Sequence, residues 1–256
     1  MDAHRRADAR RDAHTSPPLP APGRSARFRA PGDSIADGSC NPGHLFDRPG
    51  RPPRDHAGKD GIGDVLTLNS SGALTVQRGT GTGTLGAKVS GAGWPTTARF
   101  VPFGDLDGDR CNDVLVRLGS GALRAHRPAC GKAVTPSTPY TSLGTSGWNQ
   151  YDVLTAPGDV SGDGRPDLIA RNASTGTVYL YQGTGTGKLS ARVRLYDDWR
   201  TYKKVAGAGD LTGDGRTDLV SRDTDGGLYR NSGDGKGSFG SRTKIATGWQ
   251  GYRAVA

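Results

Sequence analysis

The chain contains no glutamate; all 25 of its acidic residues are aspartate. Glutamate is a good helix former and capping partner, whereas aspartate favours turns and local backbone hydrogen bonds, so this bias speaks against a helix-rich fold. It also leaves any carboxylate chemistry to aspartate alone. Cysteine is scarce, with only Cys40, Cys111 and Cys130, too few for a disulfide scaffold. Histidine is nearly absent from the C-terminal four-fifths, where only His56 and His126 occur, which weighs against imidazole-based catalysis. No apolar run is long enough to span a membrane, and the N-terminus has basic residues without the apolar stretch of a secretory signal.

What the chain has in abundance is glycine, 41 residues, together with 16 prolines in a total of 256. With 33% hydrophobic residues it can bury a core, but one built from short elements and many turns, so the expected class is all-β. The formal charge is +9, of which residues 1–53 carry +3 and residues 54–256 carry +6. A positive charge spread this evenly describes solvated faces and makes nucleic acid an improbable partner.

One pattern organises the rest. GDLTGDGRTDLVSR begins at Gly209, GDVSGDGRPDLIAR at Gly158 and GDLDGDRCNDVLVR at Gly104. Each sets oxygen-bearing side chains at the first, third and fifth positions of a loop, an acid at the ninth, and a branched apolar pair after it. The loops start at Asp105, Asp159 and Asp210, 54 and 51 residues apart, and Trp94, Trp148, Trp199 and Trp249 follow at 54, 51 and 50. That is an internal repeat.

Within a repeat the acidic loop leads into a short apolar strand such as Asp167–Ala170, then a turn of Asn, Ser and Gly, then an alternating strand such as Thr177–Tyr181. A glycine turn follows, GTGTG at Gly79 and Gly183, and a last strand ends at tryptophan. Period-two alternation bounded by such turns predicts four antiparallel strands per repeat. Four-stranded units repeating at this length are expected to pack face to face around a ring as a β-propeller; a linear β-sandwich is the alternative. The units expected are 54–94, 95–148, 149–199 and 200–249. Residues 250–256, which match the opening of a repeat, would complete the first blade, which lacks that strand. Closing the ring removes the exposed strand edges of an open sheet.

Residues 1–53 lack apolar periodicity and are rich in Arg, Pro and Ala, a composition expected of a disordered segment. Within them Gly32-Asp33-Ser34-Ile35 resembles the nucleophile block of GDS-type esterases, with Ser34 as nucleophile and His44 as the nearby imidazole. Such a hydrolase needs an α/β scaffold and further Gly, Asn and Asp-x-x-His blocks, which the segment does not contain. The first repeat begins at about Arg54 with an irregular loop: Asp60 and Asp64 keep the spacing of the last two acids, and Asp55 fits the first position only with one inserted residue.

Closely spaced aspartates on a tight loop are the donors a hard cation such as calcium takes, six to eight oxygens in flexible geometry. The candidate ligands are Asp105, Asp107, Asp109 and Asp113 with the Cys111 carbonyl in the second repeat. In the third they are Asp159, Ser161, Asp163 and Asp167 with the Arg165 carbonyl, and in the fourth Asp210, Thr212, Asp214 and Asp218 with the Arg216 carbonyl. Gly164 and Gly215 follow the third ligand, where the loop must turn sharply; Arg110 stands there in the second repeat, a more strained choice. The loops share EF-hand logic, but strands flank them and the last acid falls at the ninth position. Asp and Gly also make ordinary turns, and that reading requires no metal. Cys111 and Cys130, 19 residues apart in one repeat, are expected either as a single bridge, which would imply an oxidising compartment, or as two buried thiols.

The acidic loops, the GTGTG turns and the Trp-x-x-Tyr at the repeat ends make residues 54–256 resemble the FG-GAP (VCBS) repeat family, itself similar to the integrin α-subunit propeller. The resemblance implies a calcium-stabilised propeller with about three structural ions, of the kind bacteria secrete for adhesion, for glycan contact or as an appendage to an enzyme. Integrin propellers have seven blades and four repeats are countable here, so the expectation is either a small ring or part of a larger one. The leading functional expectation is a non-catalytic binding module for a glycan or an extracellular protein. The alternative is an accessory or remnant part of a secreted hydrolase. Tyr179, Tyr181, Tyr196 and Trp199 offer faces for stacking on sugars, although tryptophans at the repeat period also serve to pack blades.

Overall fold

The computed structural model describes residues 62–252, which lie within one compact unit, Leu45–Ala256. The boundary expected at 53/54, Ser34, His44, His56, Asp55, Asp60 and the closing residues 253–256 lie outside the described residues.

Fifteen strands and two 3-10 turns make up the described residues, and every named pairing is antiparallel. The first sheet has three strands, β1 (Val65–Leu68), β2 (Leu74–Gly79) and β3 (Leu85–Gly91). The second has β4 (Arg99–Pro102), β5 (Val114–Arg117), β6 (Leu123–His126) and β7 (Tyr140–Gly144). The third has β8 (Tyr151–Gly158), β9 (Asp167–Asn172), β10 (Val178–Tyr181) and β11 (Val193–Tyr196). The fourth has β12 (Tyr202–Gly209), β13 (Asp218–Asp223), β14 (Leu228–Gly233) and β15 (Phe239–Ala246). Strand order follows chain order in each sheet, a meander, and the four sheets are the blades of a β-propeller.

The blades hold together through their faces. Successive residues of a strand point to opposite sides, so a strand between two neighbours must be apolar on both. In β9, Leu168 and Ala170 join the core shared with Val101, Phe103 and Leu115 of the second blade, while Ile169 joins the core shared with Val205 and Leu219 of the fourth. In β5, Leu115 faces the third blade, and Val114 and Val116 face Leu74 and Trp94 in the first core. This is why the short strand after each acidic loop reads as an unbroken apolar run.

The periodic tryptophans close each repeat. Trp94, Trp148, Trp199 and Trp249 donate their backbone N–H to the carbonyls of Gly72, Gly121, Gly176 and Gly226 at 2.9–3.0 Å. Gly72 has φ of +78° and sits so close that a Cβ there would lie 2.2 Å from the Trp94 carbonyl oxygen, so only glycine fits. Trp94, Trp148 and Trp199 are buried.

Candidate metal centre

Each acidic loop is wound around its own first aspartate. In the second blade Asp105 accepts the N–H groups of Gly108 and Arg110, both at 2.7 Å. In the third Asp159 accepts those of Gly162 and Gly164 at 2.6 and 2.7 Å, and in the fourth Asp210 accepts those of Gly213 and Gly215 at 2.6 and 2.8 Å. The fifth-position acids fix the next turn, Asp109 taking the N–H of Cys111, Asp163 that of Arg165 and Asp214 that of Arg216. Three loops of different composition therefore share one backbone path. At the sharp turn Gly164 and Gly215 have φ of +83° and +82°, and Arg110 is held at +70°, one of two non-glycine residues with positive φ among those described.

The ninth-position aspartates lie deeper. Asp113, Asp167 and Asp218 are fully buried and accept N–H groups from the loop's second residue, Leu106, Val160 and Leu211 respectively. Asp167 and Asp218 use their other oxygen for Gly183 and Gly233 across the sheet, and Asp64 does the same for Gly79 in the first blade. Pro128, which has no N–H, stands at that place in the second blade. Burial pushes the Asp113 carboxyl up to about 8, with Asp107, Asp105 and Asp109 adding to the rise. Burial likewise pushes Asp167 up to about 6, against the pull of its backbone donors. The ninth acid thus ties the loop to the strand pair behind it.

Among the described residues the structure brings three acids into one metal-sized group. Carboxylate oxygens of Asp105, Asp107 and Asp109 lie within 4.8 Å of one another. Two oxygens on one calcium ion are separated by at most about 5 Å, so this group fits the cation. Arg127 sits 3.5 Å from Asp107, a partial counter-charge. In the third and fourth loops Ser161 and Thr212 take the middle position and direct their hydroxyls at Asp159 and Asp210, at 3.3 Å. Those loops carry one carboxylate fewer and less mutual repulsion. Cys111 is joined to Cys130 by a disulfide with a Cα–Cα distance of 5.0 Å, which binds the second loop to the following hairpin.

Neighbouring blades hold these loops as well. Gly187 of the third blade donates to the Leu106 carbonyl and Gly237 of the fourth to that of Val160, both at 2.9 Å. Leu106 and Val160 are accordingly buried, while Leu211, their equivalent in the fourth loop, is half exposed.

The four aromatics considered for sugar stacking serve packing. Trp199 stacks on Tyr196 with ring centres 4.8 Å apart, and the Tyr196 hydroxyl donates to the Phe239 carbonyl. The Tyr181 and Tyr151 hydroxyls are 2.6 Å apart, and the Arg192 guanidinium covers the Tyr179 ring. An arginine that ends the apolar strand is a feature that periodicity alone did not single out. Arg117, Arg171 and Arg222 each reach across to the backbone carbonyl of the next tryptophan, Trp148, Trp199 and Trp249. Its signal is the shared final R of DVLVR, DLIAR and DLVSR; Leu68 stands there in the first blade.

The fold and its repeated loops define the class as a β-propeller built from acidic-loop repeats. Residues 159–221, spanning the third and fourth loops, match the model of the FG-GAP-like repeat, so this stretch is an FG-GAP-like repeat. No curated protein matches the chain. Among solved structures the chain is similar to an Agrocybe aegerita lectin described as recognising non-reducing terminal N-acetylglucosamine, at 22% identity over 77% of this chain and 51% of that one, with a TM-score of 0.48. This chain thus spans about half of the lectin's length. A symmetrical protein from a study of de novo evolutionary emergence aligns at 15% identity over 73% and 75% of the two chains, TM-score 0.46. The Photorhabdus luminescens Tc holotoxin pore aligns at 19% identity over 75% of this chain and 9% of that one, TM-score 0.41.

Proposed function

We propose that the propeller is a non-catalytic, calcium-stabilised binding module that works outside the cell on a glycan or protein ligand. The observation that carries the metal half is the grouping of Asp105, Asp107 and Asp109 on a loop path that two further blades repeat. Loops 105–113, 159–167 and 210–218 would each hold one ion, which would neutralise carboxylates that otherwise repel one another. The Cys111–Cys130 bridge supports an oxidising location. In support of a non-catalytic role, the loop aspartates are engaged by backbone donors, and His126 is buried with Nδ1 against the Thr138 carbonyl. The resemblance to FG-GAP-like repeats supports the ligand half.

The test is thermal unfolding of the full chain with calcium and with chelator, beside a count of bound metal and a glycan-array screen. Three bound ions and a calcium-dependent rise in Tm are expected, because a ligand bound only by the native state stabilises it. Absence of bound calcium and an unchanged Tm would reduce the aspartates to turn formers.

A further inference from the structure

Away from the acidic loops, at the tryptophan end of the blades, β8 and β12 run side by side and line an open cleft of about 340 Å³. That volume lies at the lower end of the range for small-ligand pockets, roughly 300–1,000 Å³. Its walls are Asp152, Val153 and Leu154 from β8, Arg171 from β9, and Lys203, Lys204 and Val205 from β12.

The two strands carry the same irregularity. The β8–β9 register steps from Tyr151–Asn172 to Val153–Arg171, leaving Asp152 as the extra residue. The β12–β13 register steps from Tyr202–Asp223 to Lys204–Arg222, leaving Lys203. A bulge turns a side chain out of the ordinary alternation, so the paired bulges bring Asp152 and the two lysines to one cleft.

The charges there do not cancel. Arg171 is committed: Nε and Nη2 hold the two oxygens of Asp152 at 3.0 and 2.5 Å, and Nη1 donates to the Trp199 carbonyl. Asp152 is thereby neutralised by an immobile partner. Lys203 and Lys204 add two positive charges, and neither forms an ion pair among the described residues. Val153 and Leu154, half-buried against the cores, leave a small apolar margin beside these charges, and Val205 is buried beneath it.

We infer that this cleft between the third and fourth blades is a binding site for an acidic glycan, with Lys203 and Lys204 contacting a carboxylate or sulfate and the half-buried Val153 and Leu154 lying beside the sugar ring. Lysine ammonium groups serve as point charges for either anion, and the small apolar margin of Val153 and Leu154 leaves room for the C–H edge of a pyranose. The inference rests on the glycan reading of the propeller.

The experiment titrates the full chain with a hyaluronan tetrasaccharide, a chondroitin sulfate tetrasaccharide and neutral chitotetraose, and with inorganic sulfate followed by backbone amide shifts. The wild type at low ionic strength is expected to bind at least one acidic oligosaccharide about tenfold tighter than the neutral one, a margin two solvent-facing charges can provide there. Preference for the sulfated tetrasaccharide alone assigns the anion as sulfate; binding of both assigns it as carboxylate. Lys203→Gln with Lys204→Gln removes the difference, and unchanged Tm shows that the variant folds. Equal binding of acidic and neutral sugars, untouched by the double variant, overturns the cleft assignment and leaves the glycan reading standing. If no sugar binds but sulfate shifts the Lys204 and Val205 amides in the wild type only, the anion site stands and its glycan occupant is overturned. No binding and no shifts overturn both.

Discussion

Arg171 in the third blade donates from Nη1 to the Trp199 carbonyl at the entrance of the fourth, 2.9 Å away, while its other nitrogens hold Asp152. Arg171 is 6% exposed, and its guanidinium bonds to backbone and carboxylate at once. Removing it strips donors from buried carbonyls and leaves Asp152 without its counter-charge. Asp152 is itself 42% exposed, so the cost falls mainly on the carbonyls left without a donor, and Arg171→Ala is expected to destabilise the protein by about 1–3 kcal/mol. Arg165→Ala, on an exposed loop side chain, should stay within about 0.5 kcal/mol. Chemical denaturation of both variants checks the contrast; equal effects would mean that the blade contact carries no particular weight.

Calcium should act most strongly through the second loop. Asp107→Ala removes one of three grouped carboxylates and is expected to lower the number of bound ions by one. A site saturated a hundredfold above its Kd contributes about 2.7 kcal/mol, so the calcium-dependent rise in Tm should shrink measurably. The effect should also depend on pH. Asp113 and Asp167 have folded pKa values raised to about 8 and about 6. Without metal, their contribution to stability is therefore full below their unfolded value and is lost as pH rises through about 6 and about 8. The gain from calcium is expected to grow between pH 5 and pH 8, read from Tm with calcium and with chelator at each pH.

His126 predicts the opposite pH response. Burial pushes its pKa down to about 4, between the Trp94 and Tyr140 rings. A depressed folded pKa gives stability that is present above the unfolded value and lost as pH falls through about 6.5 toward 4. The loss should be on the order of 3 kcal/mol. His126→Phe should flatten the acid limb of a stability-versus-pH curve, and a curve of unchanged shape would remove His126 from the account.

The second loop holds a backbone strain that the others avoid. Arg110 sits at φ +70°, where Gly164 and Gly215 occupy the equivalent turns. Arg110→Gly is expected to raise stability by about 0.5–1 kcal/mol, since a side chain in the left-handed region costs more than the entropy glycine adds. The disulfide should matter in the other direction. Paired Cys111→Ser and Cys130→Ser changes, which open a loop of 19 residues, are expected to cost about 3 kcal/mol. Urea denaturation of the single and the paired variant measures both effects.

Much of the architecture is legible in the sequence because every blade solves the same local problem. A strand with neighbours on both sides must be apolar throughout, so DLIA and DVLV announce themselves. A loop that turns back on its own aspartate needs glycine where φ is positive, so GDG recurs. Tight turns join consecutive strands as hairpins, and strand order therefore follows chain order. The aspartates of the second loop could be grouped from spacing alone, since they lie within five residues of one another.

Other features depend on contacts between repeats, which no local pattern records. Periodicity marks Trp199 but does not say that it is buried against Tyr196 instead of facing a ligand. The final arginine of each apolar strand reads as a solvated end until the next blade places a carbonyl before it. The ninth aspartate reads as one more cage ligand, yet it is buried and also bonds across the sheet to Gly183 or Gly233. The cleft brings Asp152 and Lys203, residues 51 apart, to one place only because the bulged strands β8 and β12 lie side by side. Sequence alone determined the repeat, the strands and the turns of the loops, because alternation and turn geometry act over a few residues. Tertiary structure decided which side chains meet across blades, because that depends on how whole sheets pack.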